Sequence, residues 1–219
     1  MARTIAAVTI GQAPRPDVVS EMSALTPGVG WVEAGALDGF DDAALAAVEA
    51  RPGDFPLVTR LRSGRTVVVG ERAIAPHVEA AVRRVEGEAD VVVVLCTGEF
   101  RVPCRKPLLI PCRLLTGAVT AVDAGGPVAI LTPLADQAPG QGLRWRERGL
   151  DAHVIVASPY ADTDFGAVGR QALELDAHLI VMDCLGYSVA MKTAVQSASG
   201  RPTVLVRSLV ARLAAELVA

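Results

Sequence analysis

Aromatic residues make up only 4% of this 219-residue chain, although 51% of it is hydrophobic. A core with so few large rings has to be built from Val, Leu, Ala and Ile, the mix expected of a parallel sheet covered by helices. Long apolar runs are missing as well. The segments 90–96 and 179–182 fall far short of the roughly 20 residues that span a bilayer and read as buried strands, so the mean hydropathy of +0.39 does not argue for a membrane protein. An excess of either charge is also absent: 21 Lys and Arg are interspersed with 24 Asp and Glu, for a formal net charge of −3. That leaves no basic stripe for a phosphate backbone and no polybasic surface for anionic lipid, and neither nucleic acid nor membrane is expected as a partner.

Cysteine is sparse and the motifs that usually hold cofactors are lacking. Cys96, Cys104, Cys112 and Cys184 form no CxxC pair and have no nearby histidine, so no structural zinc site is expected. His77, His153 and His178 are scattered and assemble into neither a Ser-His-Asp triad nor a ligand set. Neither GxGxxG nor GxxxxGK[ST] follows a strand. The expectation is therefore no metal and no cofactor. The opening residues carry no long apolar segment with a cleavage site, since Gly11 and Pro14 interrupt them early, which makes the cytoplasm the expected location. Thiols stay reduced there.

What is present is alternation. Thr4 to Ile10 reads as a strand, the loop Gly11–Asp17 follows, and Pro16 or Asp17 opens a helix toward Leu25. Leu57–Leu61 and Thr66–Val69 flank Arg62-Ser63-Gly64-Arg65, the pattern of a hairpin. Ile74, Val78, Ala81, Val82 and Val85 recur at helical spacing before the strand 91–95. Further units of the same kind predict helices over 113–123 and 136–148 and, near the end, a strand over 203–206 and a helix over 209–218. The fold class predicted is α/β, with mainly parallel sheets flanked by helices, and the order of units suggests two halves, or lobes, one ending near Cys96 and the other running from about Gly98 to Arg201.

Each lobe ends its best strand with a cysteine, in Val94-Leu95-Cys96-Thr97-Gly98 and in Met182-Asp183-Cys184-Leu185-Gly186-Tyr187. Ligands of open α/β sheets bind outside the carboxyl ends of the strands. The glycine two residues on opens a loop whose free backbone N–H groups can hold an anion and favour a thiolate. Two such thiols on opposite faces of one carbon would invert it, one removing a proton and the other returning it. A lone cysteine at such a place is more often a small buried hydrophobe; it is the matched pair that favours function. Gln12 and Arg15, in the loop after the first strand, offer donors for a carboxylate, and Thr132 stands at another strand end. Cys104 and Cys112 read as structural, and Asp183 either orients Cys184 or bonds a loop.

Thr9-Ile10-Gly11-Gln12-Ala13-Pro14-Arg15-Pro16-Asp17, Met182-Asp183-Cys184-Leu185-Gly186-Tyr187 and the ending 209–217 resemble the AroM family over essentially the whole chain. That family is in turn similar to the aspartate/glutamate and hydantoin racemase superfamily. The resemblance implies two pseudo-symmetric α/β lobes with a cleft between them, the last helix returning to the first so that residues 1–97 with 205–219 form one and 98–204 the other, Cys96 and Cys184 as the two bases, and substrate contacts from Thr97 and the loop Gln12–Arg15; with the strand-end residues Gly98, Thr132, Leu185, Gly186 and Tyr187 these make up the expected substrate shell. Around its cysteines the superfamily often has Cys-Asn-Thr or Gly-Cys-Thr, where this chain has Cys96-Thr97-Gly98 and Asp183-Cys184-Leu185. The activity implied is a cofactor-independent racemase or epimerase on a small carboxylate or cyclic amide, with a homodimer as the implied assembly. The alternatives are a decarboxylase or cis-trans isomerase of the same superfamily, or a regulatory protein that binds a small carboxylate without turning it over.

Overall fold

Four successive valines, Val91–Val94, are each no more than 1% exposed. Buried on both faces, they belong to the interior of a parallel sheet, and each contributes about 1.5–3 kcal/mol by leaving water. The computed structural model describes residues 3–122 and 125–219. The chain divides into two compact units, Met1–Leu114 with Val210–Ala219, and Leu115–Leu209.

In the first unit the elements run β1 (Thr4–Thr9), α1 (Pro16–Ser23), β2 (Gly30–Gly35), α2 (Asp42–Ala47), β3 (Pro56–Arg60), β4 (Thr66–Gly70), α3 (Glu71–Val85), β5 (Val91–Val94), β6 (Leu108–Leu109) and the start of α4 (Pro111–Thr120). The main sheet has the order β2-β1-β5-β6, and every pair in it is parallel. Strands β3 and β4 form a separate antiparallel hairpin in the register Leu57↔Val69, turned at Gly64 with φ +87°. Glycine suits that left-handed position because it has no Cβ to clash. The predicted stripe of α3 is buried at Ile74, Val78, Ala81, Val82 and Val85, with Glu71 in its first turn and Arg83 and Arg84 in its last, matching the helix dipole.

The second unit continues with β7 (Val128–Thr132), α5 (Ala138–Arg146), β8 (Ala152–Val156), α6 (Phe165–Glu174), β9 (Leu179–Met182), α7 (Val189–Ser199), β10 (Thr203–Leu205) and the start of α8 (Val206–Val218). Its sheet, β10-β9-β7-β8, is also wholly parallel. Numbered by chain order within each sheet, both read 2-1-3-4. The two units therefore repeat one design, each with a hydrophobic core of its own.

Three expectations shift. Boundaries after residues 97 and 204 give way to divisions inside α4 and α8, because β6 pairs with β5 at Val92↔Leu108 and holds residues 98–110 in the first unit. Helix α8 starts at Val206 rather than Leu209, taking in Val206 and Arg207. The predicted end of α4 at Asp123 lies outside the described residues. Among the described residues no helix is long and apolar enough to cross a membrane.

Candidate active site

Strand pairing decides which loops emerge side by side. In the first unit β1 and β5 are parallel neighbours through Val8↔Val94, and the Leu95 N–H donates to the Val8 carbonyl at 2.7 Å. The loop Gly11–Arg15 and the segment Cys96–Gly98 therefore leave the sheet together. In the second unit β7 and β9 pair through Leu131↔Met182, and the Asp183 N–H donates to the Leu131 carbonyl at 3.1 Å, which sets Thr132 level with Asp183, the residue before Cys184. Each cysteine thus follows the third strand of its sheet, and each first strand ends in a buried threonine, Thr9 or Thr132.

The two cysteines share one local geometry. The Gly98 N–H donates to Cys96 Sγ at 3.3 Å, and the Gly186 N–H donates to Cys184 Sγ at 3.3 Å. A donor aimed at sulfur favours the thiolate over the thiol. Both glycines are also crowded. A Cβ at Gly98 would lie 2.8 Å from the Phe100 ring, and one at Gly186 would lie 2.5 Å from Tyr160 Oη. Cys96 is buried and packs in the first core, whereas Cys184 is half-buried against the second. Glu71, at the start of α3, holds the first loop by accepting from the Glu99 N–H at 2.8 Å, while Thr97 is half-buried within it.

The loop after β1 is braced through its side chains. Gln12 Nε2 donates to the Leu37 carbonyl at 3.1 Å and its Oε1 accepts from the Arg62 N–H at 2.9 Å. Arg15 is only 4% exposed, and its guanidinium makes a two-pronged contact with Asp17, Nε and Nη2 each at 2.8 Å. Its Nη1 reaches the Thr9 and Thr59 hydroxyls at 3.3 and 3.4 Å. Arg15 is thus a buried cation with a carboxylate already beside it.

Around Cys184 the chain turns sharply, and the Tyr187 N–H donates to the Cys184 carbonyl at 3.3 Å. Leu185 and Tyr187, 3% and 0% exposed, put their side chains into the core, so what they offer a ligand is backbone. The Tyr187 hydroxyl donates to the Ala157 carbonyl at 2.6 Å. Burial, reinforced by Cys184, Asp183 and Tyr160, pushes this hydroxyl well above the usual phenol range. The Thr132 hydroxyl donates to Gln137 Oε1 at 3.0 Å. Asp183 accepts from Trp145 Nε1 at 2.9 Å and from Gln141 Nε2, both on α5, so it ties the end of β9 to that helix.

Sequence reasoning passed over Arg207, which is 1% exposed. Its Nε donates to the Leu185 carbonyl at 2.9 Å and its Nη2 to the Gly186 carbonyl at 3.0 Å. A signal was available: Arg207 stands at helical spacing with the buried Val210, Ala211, Ala214 and Val218, on the face where an arginine is out of place unless it is bonded.

The other two cysteines also belong to the first unit, and Cys112 opens α4 just after β6, the strand paired with β5. Cys104 and Cys112 pack at the edge of the first core. Burial, with a smaller contribution from Glu86, pushes the Cys104 thiol up, while the Arg105 N–H, and secondarily Cys104, hold Glu86 below the usual carboxylate range. Among the described residues no group of three or more His, Cys, Asp or Glu could hold a metal ion.

A family model described as AroM protein matches residues 5–218. No curated protein matches the chain by sequence. Three solved structures are similar in fold. Allantoin racemase from Pseudomonas fluorescens is 17% identical with a TM-score of 0.63, over 98% of this chain and 90% of that one. Glutamate racemase from Aquifex pyrophilus is 13% identical with a TM-score of 0.58, over 99% and 84%. Unliganded arylmalonate decarboxylase is 15% identical with a TM-score of 0.65, over 99% and 92%.

Proposed function

Because the chain belongs to the AroM family, whose fold it shares with racemases and a decarboxylase, we propose that it is a cofactor-independent racemase or epimerase acting beside a carboxylate or cyclic amide. The observation that carries this reading is the repeated strand end, a cysteine after the third strand of each sheet with the N–H two residues on donating to its sulfur at 3.3 Å. One cysteine, as thiolate, takes the proton from the carbon next to the carbonyl, and the electron pair passes to the carbonyl oxygen as an enolate. The other cysteine, as thiol, returns a proton to the opposite face. The product is the mirror configuration, the protonation of the two sulfurs is exchanged, and turnover in the reverse sense restores it. Backbone N–H groups at Thr97 and Leu185 are the donors this reading assigns to the developing oxyanion, while those of Gly98 and Gly186 serve the sulfurs. The β1 loop, with Gln12 and Arg15 bonded as described, serves as a fixed platform, and Thr132 ends the strand beside β9.

Deuterium incorporation next to the carbonyl, followed in D2O with a pooled panel of amino acids, hydantoins and hydroxy acids, tests the reading. Exchange with inversion is expected from the wild type and is lost in both Cys96→Ala and Cys184→Ala. No exchange across the panel sinks it. One observation favours a second reading. Cys96 is buried while Cys184 is half-buried, an inequality that suits a single working thiol protonating a carbanion left by loss of CO2. Decarboxylation of a malonate that survives Cys96→Ser and disappears in Cys184→Ser would establish that chemistry instead.

A further inference from the structure

The peptide whose N–H faces Cys184 is the one that Arg207 holds from behind. Arg207 Nε donates to the Leu185 carbonyl at 2.9 Å, and the nitrogen of that same peptide, Gly186 N, donates to Cys184 Sγ at 3.3 Å. A trans peptide is planar with its C=O and N–H pointing in opposite directions, so fixing the carbonyl fixes the aim of the N–H. Nη2 holds the next carbonyl, Gly186, at 3.0 Å, which closes the other rotational freedom of the turn. The geometry points to Arg207 as the positioning residue for Cys184, a buried cation that orients and polarises the Leu185–Gly186 peptide so that its N–H stabilises the thiolate.

Two physical effects act in the same direction. Hydrogen bonds in a chain polarise one another, and a charged donor at one end of the peptide strengthens the donor at the other. A guanidinium that is 1% exposed is also weakly screened by water, and its field favours an anion on sulfur. Of the other ionisable groups at this turn, Asp183 acts against it. Asp183, on the same strand end, is held by Gln141 and Trp145; Tyr187 is buried behind the turn; and Tyr160 lies against Gly186. A carboxylate next to a thiol disfavours the thiolate, so Arg207 is the group that offsets Asp183. Lysine cannot replace it fully, because only the planar fork reaches two carbonyls at once.

This inference rests on the reading of Cys184 as a working thiol, yet its test does not depend on turnover. Alkylation by iodoacetamide is followed against pH without substrate, cysteine by cysteine, by mass spectrometry. In native wild type the midpoint for Cys184 is expected below that of the same cysteine in urea. In Arg207→Gln it moves up by about one pH unit, and the rate at pH values below both midpoints drops about tenfold. Arg207→Lys restores part of the rate, and Cys96 serves as the internal control, unmoved in both. A Cys184 profile that superimposes on wild type in either folded variant overturns the proposal. So does a native wild-type midpoint at or above the value in urea, a result available even if neither variant folds. Absence of deuterium exchange in the wild type with the alkylation shift intact would refute the catalytic reading alone; a missing shift in an active protein would refute the role of Arg207 alone.

Discussion

At the scale of single residues, the candidate site divides into groups that face a ligand and groups that hold those in place. Tyr187 belongs to the second kind, fully buried with its hydroxyl on the Ala157 carbonyl. Its folded pKa is raised, first by burial, above the phenol value of about 10 that the unfolded chain retains. Above that pH the unfolded state loses a proton that the folded state keeps. The stability contributed is therefore complete below about pH 10 and is lost as pH rises toward the folded value. Tyr187→Phe should remove this alkaline slope and cost about 1–3 kcal/mol at neutral pH, since it leaves a buried carbonyl without its donor. Urea titrations of both proteins at about pH 7.5 and 10.5 check this; parallel losses on going alkaline would show that Tyr187 is not responsible. Cys96, Cys184 and their glycines were legible in the sequence because strand-end chemistry is local. Arg207, Glu71 and Asp17 were not, because each reaches its partner through a side chain whose direction only the fold sets.

At the scale of elements, short continuous apolar runs alternating with stretches of helical spacing made nearly every strand and helix legible, and the departures have local causes. Helix α8 begins directly where β10 ends, with no glycine, proline or polar cap between Leu205 and Val206, so no punctuation announces the change. Close packing is the other thing periodicity does not reveal. Gly169 in α6 faces α7 so closely that a Cβ would lie 2.5 Å from the Val195 carbonyl oxygen and 3.0 Å from Ala198 Cβ. The obstacle is backbone, which cannot rotate aside. Gly169→Ala, which by helix propensity alone would stabilise α6, should instead destabilise by about 1–3 kcal/mol as the helices are forced apart. A lower urea midpoint with an unchanged slope is the expected result, and a midpoint at or above wild type would show that the helix pair adjusts without cost.

At the scale of the whole molecule, the fold does not choose the reaction. Proteins named for racemisation and for decarboxylation share it with this chain, and function resides in the groups placed on it. The sequence disclosed the α/β class because its core is aliphatic and its units alternate, and it disclosed the repetition because both third strands end in cysteine. It did not disclose the inequality between those strand ends, which depends on burial and on Arg207. That inequality bears on the number of working thiols, and the pH dependence of turnover separates the cases. Two-base transfer needs one thiolate and one thiol together, so kcat/KM should be bell-shaped, with two apparent pKa values that belong to the pair. Raising the pH empties the donor and lowering it fills the acceptor, and each limb falls tenfold per unit. Chemistry at Cys184 alone leaves a single thiol limb, which Cys96→Ser does not move. A bell in the wild type, with turnover abolished by Cys96→Ser, is the outcome expected of a chain that puts the same strand end to use twice.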